Sequence, residues 1–185
     1  LAMDGGGALI NQSIHAIDAT QWIASAAGCG DVVEVFGFTS QRGHDPAIIE
    51  VEDTAVAAMR YANGALGVIL GCTSMYPGTF QRIHIAGRDG TAEVHEETLV
   101  TFKFRDEQPD DAEVPKRFQA GKAGGAASDP MAIGHENHTG NIAEFLKAID
   151  EGRTPMVDGR EARKSLAIVE AIYRSAREGR PVAPA

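Results

Sequence analysis

Apolar residues recur at Ile10, Ile14 and Ile17, spacings of four and three that mark one face of a helix. No glycine or proline interrupts the chain from Ala8 to Ala27, so the pattern predicts a first helix over about 8–27. Gly28-Cys29-Gly30 ends it, since glycine is the usual residue just past a helix terminus. The period then shortens. Asp31–Thr39, Thr54–Tyr61, Ala65–Thr73, Arg82–Ala86, Thr91–His95 and Leu99–Phe104 read as the strands of a sheet over about 31–104. Asn63-Gly64 is a strong hairpin signal, and Arg88-Asp89-Gly90 makes another tight turn. Strands joined by such turns pair antiparallel, because parallel pairing needs a long crossover.

From Arg105 to His135 the periodicity is lost and Asp, Pro, Gly and Ala accumulate. This long loop of about 105–136 reads as a mobile lid, as an arm toward a neighbouring subunit, or as a disordered loop. Its lack of aromatic anchors apart from Phe118 favours the last. Two helices over about 137–178 close the chain. The first carries Ile142, Phe145, Leu146 and Ile149; the second has Asp158 as N-cap and an apolar face of Leu166, Val169, Ile172, Tyr173 and Ala176. Gly179 and Pro181 stop it. The expected fold class is α+β, one domain over 1–185, with an open, mainly antiparallel β-sheet covered by helices on one face. The uncovered face would leave a broad apolar surface, which predicts burial against another copy in a dimer or tetramer.

Composition narrows the partners. Hydrophobic residues make up 43% and charged residues 23%, as in soluble globular proteins. The net charge of -9 disfavours nucleic acid and anionic membrane surfaces as partners. No apolar run reaches the ~18 residues of a membrane-spanning helix. Because the chain opens at Leu1 rather than Met, its start says little about a leader segment. Cys29 and Cys72 have neither zinc nor disulfide spacing and read as buried inert thiols, in keeping with a cytoplasmic location.

The chemistry concentrates on the first helix, where Asn11, His15, Asp18 and Trp22 form a stripe beside the isoleucines. His15 can take a proton from a substrate hydroxyl near neutral pH. Asp18 can orient the imidazole or accept a hydroxyl hydrogen bond, and Asn11 can donate and accept. On spacing alone, such a stripe more often meets solvent. Gly5-Gly6-Gly7 has no preceding strand, no G-x-G-x-x-G spacing and no βαβ pattern, so it is not a dinucleotide fingerprint. His135-Glu136-Asn137-His138 falls one residue short of H-E-x-x-H, and no metal site is expected. His138 reads mainly as a helix-start residue, with substrate contact as the lesser role. Tyr76, beside Pro77-Gly78 at a strand end, is a further candidate substrate contact. His44, His84 and His95 show no pattern.

The run from Gly5 through Ile10, Asn11 and His15 to Asp18 resembles the signature that opens the C-terminal domain of the Gfo/Idh/MocA oxidoreductase family. His138 to Ile149 is similar to the family's penultimate helix. Pro155 to Ala162 and Ala171 to Ala176 are similar to its last. The resemblance implies an active site between this domain and a Rossmann domain that lies outside this chain and binds NAD or NADP. It also implies that His15 works with a lysine from that domain as general base for carbinol oxidation. Asn11 holds a position where inositol-dehydrogenase-like members carry aspartate; asparagine is neither acid nor base, so its implied role is hydroxyl binding. Asp18 matches a position that contacts substrate in some relatives. The implied function is the substrate-binding part of an NAD(P)-dependent dehydrogenase acting on a sugar, sugar derivative or cyclic polyol. This chain alone would then be inactive. The rival reading is a non-catalytic sugar-binding or assembly module.

Overall fold

Two glycines in the left-handed region end the first helix. Gly28 has φ +81° and Gly30 φ +74°, values that a side chain rarely tolerates. The Cys29 N–H bonds back to the Ala24 carbonyl and the Gly28 N–H to that of Ser25, so the helix closes on its own last carbonyls. The computed structural model describes residues 6–79, 81–96, 98–118 and 136–185. Asp4-Gly5, most of the aperiodic loop and His135 lie outside the described residues.

The helix itself has two parts. A π-helical turn covers Ala8–Ser13, and α-helix α1 follows over Ile14–Ala26. The remaining elements are β1 Val32–Ser40, β2 Thr54–Tyr61, β3 Leu66–Cys72, β4 Arg82–Ala86, β5 Gly90–His95, β6 Thr98–Phe104, α2 Val114–Arg117, α3 Glu136–Asp150 and α4 Gly159–Glu178. The α+β class and the antiparallel pairing are as the sequence predicts. Two features differ. The strands form two three-stranded sheets, β1-β2-β3 and β4-β5-β6, rather than one. Between them Pro77 has no N–H to offer a ladder, and Gly78 follows it. The loop after β6 also contains the one-turn helix α2, in which Pro115 occupies an early position that needs no N–H.

The chain divides into two compact units, one of Leu1–Met75 with Lys147–Ala185, the other Tyr76–Leu146. In the first, α1 and α4 cover one face of the β1-β2-β3 sheet. Inward residues Val35, Ala55, Ala57, Met59 and Tyr61 meet Ile17, Ile168, Val169 and Ile172 in the core. A bulge between Val32 and Glu34 lets Val32 also face inward. The opposite alternation is exposed and apolar: Phe38, Val56, Leu66, Val68 and Leu70. Asn63-Gly64 makes the β2–β3 turn, with Gly64 at φ +90° and the Asn63 side chain accepting from Ala65 N–H.

Helix α4 begins as predicted. Asp158 accepts hydrogen bonds from the Arg160 and Glu161 N–H groups at 2.9 Å each. It docks closely on β1: a Cβ at Gly37 would lie 2.8 Å from Ile172 Cγ2. The Gly37 N–H donates to Ser175 Oγ at 3.0 Å, and that hydroxyl donates to the Arg180 carbonyl at 2.7 Å. Beyond the helix, Val182 pairs with Val35 through both backbone bonds and binds the tail to the rim of the sheet.

Asp53 fixes the connection from β1 to β2. Its carboxylate accepts from the N–H groups of Arg42, Gly43 and His44 at 2.9, 2.6 and 3.2 Å and from the Thr54 hydroxyl at 3.0 Å. His44 Nδ1 stands 3.6 Å away, too far for a hydrogen bond. Burial alone would push the Asp53 carboxyl up. The Gly43, Thr54, Arg42 and His44 donors outweigh it and hold the carboxyl below its ordinary value.

In the second unit β4, β5 and β6 make a meander, and Phe102 and Phe104 meet edge to face at 4.8 Å. Here two of the patternless histidines gather. His84 lies opposite Glu93 in the ladder, and His95 Nε2 is 2.6 Å from Glu93 Oε1. The apolar stripe of α3 is not buried: Ile142, Phe145, Leu146 and Ile149 are all exposed. Cys29 and Cys72 are half-buried rather than buried. Cys72 shares the outward alternation of β3, and Cys29 lies in the turn after α1.

Ile172 is wholly buried, so Ile172→Ala should cost about 2–5 kcal/mol in denaturant unfolding. A loss below about 1 kcal/mol would show that the α4–β1 seam is not the core. Asp53 should shape the acid limb. A carboxyl depressed in the fold contributes fully above its unfolded value of about 4, and that contribution fades as pH falls through the lower folded value. Asp53→Asn should therefore be less stable than the parent at neutral pH and flatten the fall in stability between about pH 4 and 2, read from urea midpoints.

Candidate functional site

The predicted stripes meet in one place. A cleft of about 430 Å³ is lined by Ile10, Ile14, His15 and Asp18 from the first helix and by Ala162, Ser165 and Leu166 from α4. Periodicity set the isoleucines on a buried face and the polar residues on another. Only Ile17 is fully buried; Ile10 and Ile14 are partly covered and form the apolar floor beside His15 and Asp18. Leu166, expected in the core, is 44% exposed and forms the opposite wall.

His15 is the second residue of α1 and its ring is exposed. Asn11 sits on the π-helical turn, exposed, and is not among the lining residues. Among the described residues, the side chains of Asn11, His15 and Asp18 make no hydrogen bond or ion pair, so Asp18 does not orient the His15 ring. An imidazole, a carboxylate and an amide with open hydrogen-bonding capacity, beside aliphatic walls, suit a small polyhydroxylated ligand with an apolar ring face. Trp22 continues the stripe and is 49% exposed. Tyr76 and His138 are exposed residues of the other unit and do not line this cleft.

A pair of residues that sequence reasoning missed holds the cleft's scaffold. The first N–H groups of a helix have no partner within it. Here the Ala8 N–H donates to the Glu52 carbonyl at 3.0 Å, and the Leu9 N–H to Glu52 Oε1 at 3.0 Å. The Tyr173 hydroxyl of α4 donates to the same Oε1 at 2.8 Å. Burial, then the hydrogen bond and charge of Glu52, push the Tyr173 phenol well above its ordinary value, so it remains a donor; the Gly7 and Ile10 N–H groups oppose this without reversing it. Gly7 is required at this spot, because a Cβ there would stand 2.1 Å from the Glu52 carbonyl oxygen. The glycine turn is thus filled by a carboxylate of the chain itself and does not fit a dinucleotide phosphate. The only sequence signal was an acidic pair, Glu52-Asp53, directly before a strand.

Comparison with known proteins agrees over most of the chain. A family model described as "Oxidoreductase family, C-terminal alpha/beta domain" (GFO_IDH_MocA_C) matches residues 3–183. A myo-inositol 2-dehydrogenase of Thermotoga maritima is 26% identical over 184 residues, 96% of this chain and 49% of that protein. A D-apiose dehydrogenase of Paraburkholderia graminis is 24% identical over 176 residues, 91% of this chain and 42% of that protein. The WlbA dehydrogenase from Bordetella pertussis, solved in complex with NADH and UDP-GlcNAcA, superimposes with a TM-score of 0.77 at 31% identity. That match covers 96% of this chain and 48% of the WlbA chain. The chain therefore spans about half the length of the curated relatives it matches.

Proposed function

Because the chain belongs to the Gfo/Idh/MocA oxidoreductase family as its C-terminal α/β domain, we propose that it is the substrate-binding part of an NAD(P)-dependent dehydrogenase oxidising a hydroxyl of a sugar, sugar derivative or cyclic polyol. The observation that carries this reading is the cleft in which His15 and Asp18, both without partners among the described residues, stand between the apolar residues Ile10 and Ile14 and the opposing Leu166. Relatives that act on inositol and apiose, and one solved with a nucleotide sugar and NADH, support the substrate class and the cofactor type.

In this reading His15 takes the proton of the hydroxyl being oxidised, while Asp18 and Asn11 bind neighbouring hydroxyls. The aliphatic wall packs on a ring face and excludes water. Tyr76 and His138 enter as substrate contacts on their chemistry alone. The nicotinamide, when bound, supplies the acceptor for the hydride that leaves the carbinol carbon. Its phosphates belong to residues outside this chain, since Glu52 already occupies the glycine turn. Among the described residues no helix is long and apolar enough to cross a membrane. The reading extends to a cytoplasmic enzyme, in keeping with its two free thiols.

The test is the complete protein assayed with sugars and polyols, using both NAD⁺ and NADP⁺. His15→Ala should lower kcat by about 10²–10⁴-fold, the usual worth of a general base. Turnover within a few-fold of the parent would remove His15 from that role. The same proposal has the exposed face of β1-β2-β3 buried against a second copy, because Leu66 and Val68 are 78% and 77% exposed. Sedimentation should find a dimer or tetramer, and Val68→Asp should shift it toward monomer. A monomeric parent protein at micromolar concentration would refute the assembly.

A further inference from the structure

Both walls of the cleft come from elements that meet at Glu52. One wall stands on the π-helical turn and α1, which carry Ile10, Ile14, His15 and Asp18; the other is α4, which carries Ala162, Ser165 and Leu166. The carboxylate bridges them through a single oxygen, accepting Leu9 N–H from the first element and Tyr173 O–H from the second. Leu9 and Ala8 are fully buried, so an N–H released there would have no water to bond. The negative charge also sits at the positive end of the helix that presents His15, where it is electrostatically favoured. The backbone carbonyl of Glu52 takes Ala8 N–H as well, which fixes the entry of the turn from both ends of the residue.

We infer that Glu52, with Tyr173, is a positioning residue of the active site, setting the turn that carries Asn11 and leads into His15 against the α4 wall. This rests on the dehydrogenase reading above. Neither residue lines the cleft; they act through the two helices. Asn11 follows Leu9 by two residues, and His15 comes one further helical turn along, so a slip at the Leu9 bond to Glu52 is carried to both side chains.

The experiment uses the complete protein with four changes: Glu52→Ala, Glu52→Gln, Tyr173→Phe and, as a control from the same segment, Asp53→Asn. Kinetics are taken well below each variant's melting temperature. Glu52→Ala should lower kcat by about 10–100-fold with a smaller change in KM, the scale on which a displacement of about 1 Å costs rate. Glu52→Gln keeps an acceptor for both donors and should return kcat to within about five-fold of the parent. Tyr173→Phe, which removes one hydroxyl and keeps the ring, should fold and lose kcat by several-fold. Asp53→Asn should lower stability and leave kcat unchanged. If folded Glu52→Ala and Tyr173→Phe both turn over at the parental rate, the clamp is merely structural and the inference fails. A second readout separates this from the functional reading: the ring resonances of His15 should move in Glu52→Ala and Tyr173→Phe and stay in place in Asp53→Asn. Should the parent protein oxidise none of the compounds, the dehydrogenase reading fails by itself, and unmoved His15 resonances would then overturn the clamp independently.

Discussion

A single methyl group sets how closely α4 can approach the sheet. Ile172 fills the space that a side chain on residue 37 would need, and Gly37 turns its N–H to Ser175 instead of leaving it unpaired in the core. That contact places the rest of α4. With it come Val169 and Ile168 over β1 and β2, Tyr173 at Glu52, and Leu166 at the rim of the cleft. The burial of a few aliphatic side chains thus determines where the polar groups of the cleft stand. The cleft is a by-product of two helices that share a floor.

Much of the fold was legible because its signals are local. A period of two, interrupted by Asn-Gly or Asp-Gly, located β2 and β4 to the residue and the other strands to within one. Capping chemistry did the same for α4, where Asp158 and Gly179 bracket the helix through their own backbone bonds and conformations. The site was half legible. Helical spacing puts His15 and Asp18 on one stripe and the family resemblance singles them out as candidates, but neither gives their company. That Leu166, about 150 positions along the chain, faces them depends on how α4 docks, which no local pattern encodes. The partner of the π-helical turn was invisible for the same reason, since its first N–H groups bond to Glu52, more than forty positions away along the chain. The exposed stripe of α3 shows the converse: amphipathicity announces a surface without saying what covers it.

The two acidic neighbours Glu52 and Asp53 divide the work of one short segment. Asp53 gathers three successive N–H groups of its own loop and closes that loop locally. Glu52 reaches outward, to a turn and to a helix far away in sequence. One carboxylate shapes the connection and the other couples it to the scaffold of the cleft.

The tail that pairs Val182 with Val35 has a geometric consequence for association. A three-stranded ribbon has two rims, and in this one the middle of the β1 rim is occupied, its Val35 N–H by Val182 and its Gly37 N–H by Ser175. Among the described residues β3 has no strand beyond it. A ribbon closed along one side can be lengthened sideways from the other side only. A second ribbon joining this one rim to rim would therefore meet engaged N–H groups at Val35 and Gly37 on the β1 side, and the β3 side is the rim left for such pairing among the described residues.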